Sequence, residues 1–208
     1  MGGCYSQTAP VGHEGPTAAS RARLTIETMS IFQPRSHVFV DESKARDYFV
    51  AAATVAPDRT SQVDRDLRKL TRRGQSRIHF KSESDSSRRV LLSRMAEAGL
   101  RVQLYVVRGR TDKESRQMCL EALVADLADA GASRLTLERD ESLILADRRI
   151  IRDALIAHNY LGMLTYQHAG PADYSALWVS DAAAWCHQAG GEWIASAQPL
   201  VGGVTTLG

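Results

Sequence analysis

From His37 onward, short apolar runs alternate with longer charged stretches whose apolar residues recur at helical spacing. "HVFVDES" (37–43) is followed by a polar "KARD" and then by "YFVAAATV" (48–55), which predicts two strands joined as a hairpin, with Pro57 closing the second. Val63, Leu67 and Leu70 space a helix over 59–73, and Val90, Leu91 and Met95 space another over 86–98. "RVQLYVV" (101–107) is the next strand. Leu120, Leu123, Val124 and Leu127 share one face of a helix over 113–130 that Gly131 should stop. The strand "RLTLE" (134–138), a helix over 141–157, the strand "MLTYQH" (163–168) and a helix over 174–189 ending at "AGG" complete the series. Such alternation predicts an α/β fold in which helices flank a mixed sheet. Residues 1–35, rich in Gly, Pro, Ser, Thr and Ala without a period, read as a flexible leader. Residues 36–200 then form a single domain, and 201–208 a C-terminal tail.

Side chains of a strand alternate between its two faces, so Val38 and Val40 point one way while Phe39 and Asp41 point the other. Apolar residues on both faces mark a strand buried within the sheet. Asp41 then stands at its carboxyl end, where the sites of α/β sheets gather; an Asp there also serves as a turn former. In "YSALWVSDAAAWCHQ", Asp181 lies four residues from both Leu177 and Trp185, on the most apolar face of its helix. An ionised carboxylate in that place requires a cation, a metal ion or hydrogen-bond donors, and a salt bridge to an arginine would satisfy it as well as a functional role. Glu138 ends "RLTLE", with Leu135 and Leu137 on the inward face. Asp140 and Glu141 are placed to cap the helix that follows. Three acidic residues, on the first strand, a middle strand and the last helix, suit two-ion phosphoryl transfer: hard carboxylate oxygens hold magnesium or manganese, and two ions about 4 Å apart serve the attacking and leaving oxygens.

Composition narrows the classes. With 208 residues, 44% of them hydrophobic and 24% charged, the chain has the make-up of one globular domain. Its net charge of +2, from 26 basic and 24 acidic residues, neither demands nor excludes a polyanion. Three widely spaced cysteines, without a Cys-x-x-Cys pair, suggest neither a disulfide framework nor a zinc knuckle and fit a reducing cytoplasm. No run reaches the length of a membrane helix and no secretory signal is evident, so a soluble cytoplasmic protein is expected. His158, His168 and His187 lack ligand spacing, and neither a Gly-x-Ser-x-Gly elbow nor a P-loop occurs. Arg68, Lys69, Arg72, Arg73 and Arg77, on a helix and its flanking loop, form either a stripe for a phosphate backbone or a solvated face balanced by Asp64 and Asp66.

The segments "VFVDES", "IHFK", "LTLERD" and "LWVSDAAAW" resemble the bacterial family called domain of unknown function 3800, within the RNase H-like, RuvC-type superfamily. The resemblance runs from about 37 to 189 and implies an RNase H-like mixed sheet flanked by helices. It implies Asp41, Glu138 and Asp181 as catalytic and metal-binding residues for a magnesium- or manganese-dependent nuclease. Glu42, His79, Lys81 and Asp140 are implied as auxiliaries and nucleic acid, DNA or RNA, as the partner; a homo-oligomer or a protein partner remains open. Lys44 replaces the signature's glycine and Ala45 its following acid. That departure motivates an alternative: a non-catalytic nucleic-acid-binding or assembly module of a mobile element or defence system.

Overall fold

The structure, a computed structural model, describes Met1 and residues 30–208, so most of the expected leader lies outside the described residues. In chain order the elements are β1 (His37–Lys44), β2 (Tyr48–Val55), α1 (Thr60–Arg68), α2 (Asp85–Glu97), β3 (Arg101–Val107), α3 (Asp112–Ala130), β4 (Arg134–Glu138), α4 (Ile144–Ala157), β5 (Thr165–Ala169), α5 (Leu177–Ala189), α6 (Glu192–Ala197) and β6 (Val201–Leu207). Six strands form one sheet in the order β5-β4-β1-β2-β3-β6. The β1–β2–β3 meander is antiparallel, whereas β4 joins β1, β5 joins β4 and β6 joins β3 in parallel. The expected α/β fold, a mixed sheet flanked by helices, is thus observed.

Both faces of the sheet are covered, which explains why β1 and β2 read as nearly continuous apolar runs. On one face Phe39, Ala51, Ala53 and Leu104 pack beneath α5, with Leu67 of α1 and Leu91, Leu92 and Met95 of α2 beside it. On the other, Val38, Val40, Val50 and Leu137 pack against Leu120, Leu123 and Leu127 of α3 and Ile151 and Leu155 of α4; Phe32, ahead of β1, joins this layer. Alanines on both partners, Ala51 and Ala53 on β2 and Ala182 and Ala183 on α5, leave room for close approach of helix and sheet. The Ser180 hydroxyl fastens the pair by donating to the Phe39 carbonyl at 2.8 Å, one residue before Asp181. Among the described residues no helix is long and apolar enough to cross a membrane.

Local chemistry sets the helix ends. A capping box between Thr111 and Glu114 starts α3, and Gly131, at φ 72°, stops it as expected. Residues 141–143 form a turn rather than the first turn of α4, because Asp140 accepts from the Ser142 amide (2.9 Å) and hydroxyl (2.6 Å) instead of capping the helix. Residues 174–176 likewise precede α5; Ser175 is held by Asp64, through its amide at 3.1 Å and its hydroxyl at 2.7 Å. The stretch expected as a tail, 201–208, instead carries β6. Two glycines hid the strand pattern. A Cβ on Gly203 would come within 2.5 Å of the Gln103 side-chain oxygen on β3, so a side chain there would require Gln103 to move aside.

Candidate active site

Parallel pairing between β1 and β4 ends at Val40 and Leu137, and the next residues on the two strands are Asp41 and Glu138. Side-chain alternation turns both toward the face that α5 covers, since Phe39 lies on that side and Leu137 on the other. Asp181 descends from α5 onto the same place. A cavity of about 240 Å³ opens there, lined by Asp41, Glu42, Arg77, Ile78, His79, Glu138, Pro171, Trp178 and Asp181. Carboxylates more than forty residues apart in sequence therefore share one depression at the carboxyl ends of parallel strands.

Their environment disfavours negative charge. Burial, then the neighbouring Glu138 and Asp181 carboxylates, raise the Asp41 proton affinity well above the ordinary carboxylate range, against weaker opposition from Arg116 and Arg77. Glu138 is raised by burial and by Asp181, with Arg77 opposing. Asp181 is raised by burial despite the Phe80 amide, His79 and Arg77. Compensating contacts are few among the described residues. Asp41 accepts from the Glu42 amide at 2.8 Å and makes no ion pair. The Arg77 guanidinium lies 4.0 Å from Glu138, the His79 Nδ1 lies 3.8 Å from Asp181, and the Phe80 amide donates to Asp181 at 3.1 Å. Among the described residues no arginine salt bridge satisfies Asp181. As the side chains stand, no group of three or more His, Cys, Asp or Glu residues among those described is arranged to hold a metal ion.

The remaining candidates divide by position. Glu42 reaches the cavity lining, yet its carboxylate is engaged by Lys44 at 2.9 Å and by Arg116. Lys44 thus pairs with Glu42 rather than with the three inward carboxylates. His79 stands half exposed at the cavity rim, not in the core. Lys81 is exposed on the 3-10 turn Phe80–Ser82, and Asp140 is occupied by Ser142; neither lines the cavity. Of the basic residues, α1 ends at Arg68, which pairs with Asp64 at 2.7 Å and donates to the carbonyls of Ala172 and Asp173. Lys69 pairs with Asp66 at 2.8 Å and Arg72 with Glu83. Arg73 is exposed on the loop beyond, and Arg77 alone of the five lines the cavity.

Sequence reasoning missed the network behind Glu42. Arg116 on α3 grips Asp147 on α4 with two parallel bonds, Nε to Oδ1 at 2.6 Å and Nη2 to Oδ2 at 2.8 Å, and donates further to Glu42 and, at 3.2 Å, to the Tyr48 hydroxyl. His168 Nε2 completes Asp147 at 2.9 Å. The signal was the one that exposed Asp181: Asp147 precedes Ile150, Ile151 and Ala154 on the apolar face of its helix, and Arg116 precedes Cys119, Leu120 and Leu123 on its own.

No family model matches the chain, and no curated protein matches it. Among solved structures, a chain of the complex of PCNA with RNase HII from Archaeoglobus fulgidus is similar, at 13% identity over 74% of this chain and 72% of that one, with a TM-score of 0.48. At that distance the likeness transfers neither residue roles nor activity.

Proposed function

We propose that the protein is a divalent-metal-dependent phosphodiesterase acting on nucleic acid, with Asp41, Glu138 and Asp181 as the carboxylates that hold the ions. One observation carries this reading: three carboxylates from three elements line one cavity where burial raises the proton affinity of each and acidic neighbours raise that of Asp41 and Glu138 further, with Arg77 at 4.0 Å from Glu138 and His79 at 3.8 Å from Asp181 as the nearest cationic groups among the described residues. A site of this kind is costly to the fold, and such costs gather where a ligand relieves them. The donor set consists of hard oxygens, which fits magnesium or manganese in kind. When bound, a divalent ion supplies charge neutralisation for a phosphodiester and a more acidic water. The chain's own share is to fix the carboxylates on strand ends and a helix, and to bring Arg77 and His79 to the rim, where a phosphate oxygen would meet them. The resemblance of four segments to domain of unknown function 3800 points the same way, although no family model matches the chain.

Calorimetric titration of manganese into the wild type and into an Asp41→Asn/Asp181→Asn variant tests the site, followed by cleavage assays on labelled DNA and RNA with either ion. Uptake by the wild type that the variant loses, with cleavage that an Asp41→Ala/Glu138→Ala/Asp181→Ala variant lacks, is the expected result. Cleavage that survives the triple substitution sinks the assignment.

The alternative, a non-catalytic nucleic-acid-binding or assembly module, is favoured by the spacing of the acidic side chains, which as they stand do not form a ready ligand set. Binding of an oligonucleotide without ion uptake or turnover would select it.

A further inference from the structure

We infer that Arg88, outside the cavity, is a positioning residue for Asp181. The inference rests on the reading of Asp181 as an ion ligand, but its structural half stands apart from that reading. The Asp181 carboxylate takes one backbone hydrogen bond, from the Phe80 amide at 3.1 Å. Phe80 opens the 3-10 turn Phe80–Ser82, which is braced internally only by the Ser82 amide on the His79 carbonyl and the Glu83 amide on the Phe80 carbonyl. Short turns of this type hold their geometry poorly unless something outside fixes them.

Arg88 on α2 does that fixing. Its Nε donates to the Phe80 carbonyl at 3.0 Å, its Nη2 to the Lys81 carbonyl at 2.7 Å and its Nη1 to Asp85 at 2.6 Å. The Cζ of the same guanidinium lies over the Trp185 ring, 4.2 Å from its centroid. Trp185 stands one helical turn beyond Asp181 on α5 and meets the buried Phe80 ring edge-on at 5.4 Å. One planar group therefore ties the turn that donates the hydrogen bond to the helix that carries its acceptor. The Arg88 side chain is 13% exposed, and all three of its nitrogens are used within this clamp. Lysine cannot replace it: an ammonium has neither the planar fork that spans two successive carbonyls nor the face that stacks on an indole.

Partners of this kind orient a ligating group, and their loss costs about 10- to 100-fold in metal affinity. The experiment compares the wild type with Arg88→Lys and, as a control, Arg89→Ala, which removes the neighbouring arginine over Trp193 without touching the turn. Two quantities are read in each protein: manganese affinity by calorimetry, and the Phe80 amide resonance in a proton–nitrogen spectrum, with thermal melts confirming that each variant is folded. Arg88→Lys should shift the Phe80 amide upfield as its bond to Asp181 lengthens and should weaken manganese binding about 10- to 100-fold. Arg89→Ala should leave both unchanged.

An Arg88→Lys protein that keeps the wild-type Phe80 resonance overturns the inference, whatever its manganese affinity. A shifted resonance with unchanged affinity also overturns it, because the turn would then be held without consequence for the ligand. If the wild type takes up no manganese, the proposed function fails, while the Phe80 resonance still decides whether Arg88 sets the Asp181 hydrogen bond.

Discussion

Replacing Arg116 by methionine should destabilise the protein strongly although the residue lies outside the cavity. Asp147 is fully buried and the Arg116 side chain is only 6% exposed. Methionine fills much of the arginine stem's volume, so little of the loss is a cavity. What is lost is the two-pronged bond to Asp147, leaving that carboxylate with His168 alone, together with the bonds to the Tyr48 hydroxyl and to Glu42, which keeps Lys44. Stranding one member of a buried pair costs about 3–5 kcal/mol. At about 2–4 °C per kcal/mol for a chain of this size, the melting temperature should fall by about 6–20 °C at neutral pH.

The pH dependence identifies the cause. Burial alone would raise the Asp147 proton affinity, but hydrogen bonds from Arg116 and His168 outweigh it and hold the group below its ordinary range. A depressed carboxylate stabilises the fold above its unfolded value, near pH 4, and that contribution disappears as pH falls through the folded value. Without Arg116 the burial effect prevails, and Asp147 can escape its penalty by taking a proton. The gap between wild type and variant, measured by urea unfolding, should therefore be wide at pH 7.5 and narrow toward pH 4.5. An Arg116→Met/Asp147→Leu variant should recover the share of the loss due to the stranded Asp147, since buried pairs exchange for apolar residues at little net cost, and should leave the smaller share from Glu42 and Tyr48. A gap of under about 1 kcal/mol, or one equally wide at both pH values, would refute the reasoning.

Asp41→Asn should raise stability in EDTA at pH 7.5 by on the order of 1 kcal/mol while abolishing manganese binding, the trade expected where a site is strained for function. The sign follows from a raised proton affinity: above the unfolded value the native state holds more protons, so wild-type stability falls as pH rises, and the advantage of Asn should vanish by about pH 4 in melts run across that range. Lys44→Gly should change manganese affinity by less than about tenfold and cost under about 1 kcal/mol, because Lys44 forms a part-exposed pair with Glu42 only; calorimetry and melting read both. Gly131→Ala should cost about 1–2 kcal/mol in urea unfolding, all of it from the backbone at φ 72°, since the added methyl would meet Pro34 only at ordinary contact distance, 3.8 Å.

The parts of this architecture that were legible in sequence are those in which side-chain pattern and backbone role coincide. β1 announces itself because Phe39 and Val40 serve opposite faces of a covered sheet, and Asp181 because a carboxylate interrupts an apolar helix face. β6 was hidden because backbone pairing to β3 sustains it, and Gly202 and Gly203 interrupt the side-chain alternation that would reveal it. Asp147 and Arg116 interrupt apolar helix faces just as Asp181 does, yet they satisfy each other and lie on the opposite side of the sheet. An acid on an apolar face thus signals a need for compensation without naming what meets it. At Asp147 the compensation is a guanidinium from the neighbouring helix. At Asp41 and Asp181 the described residues supply one backbone amide each, an imidazole 3.8 Å from Asp181, and the charges of Arg77 and Arg116, none of them in a direct arginine bond to either carboxylate. That shortfall separates a structural ion pair from a site still short of positive charge.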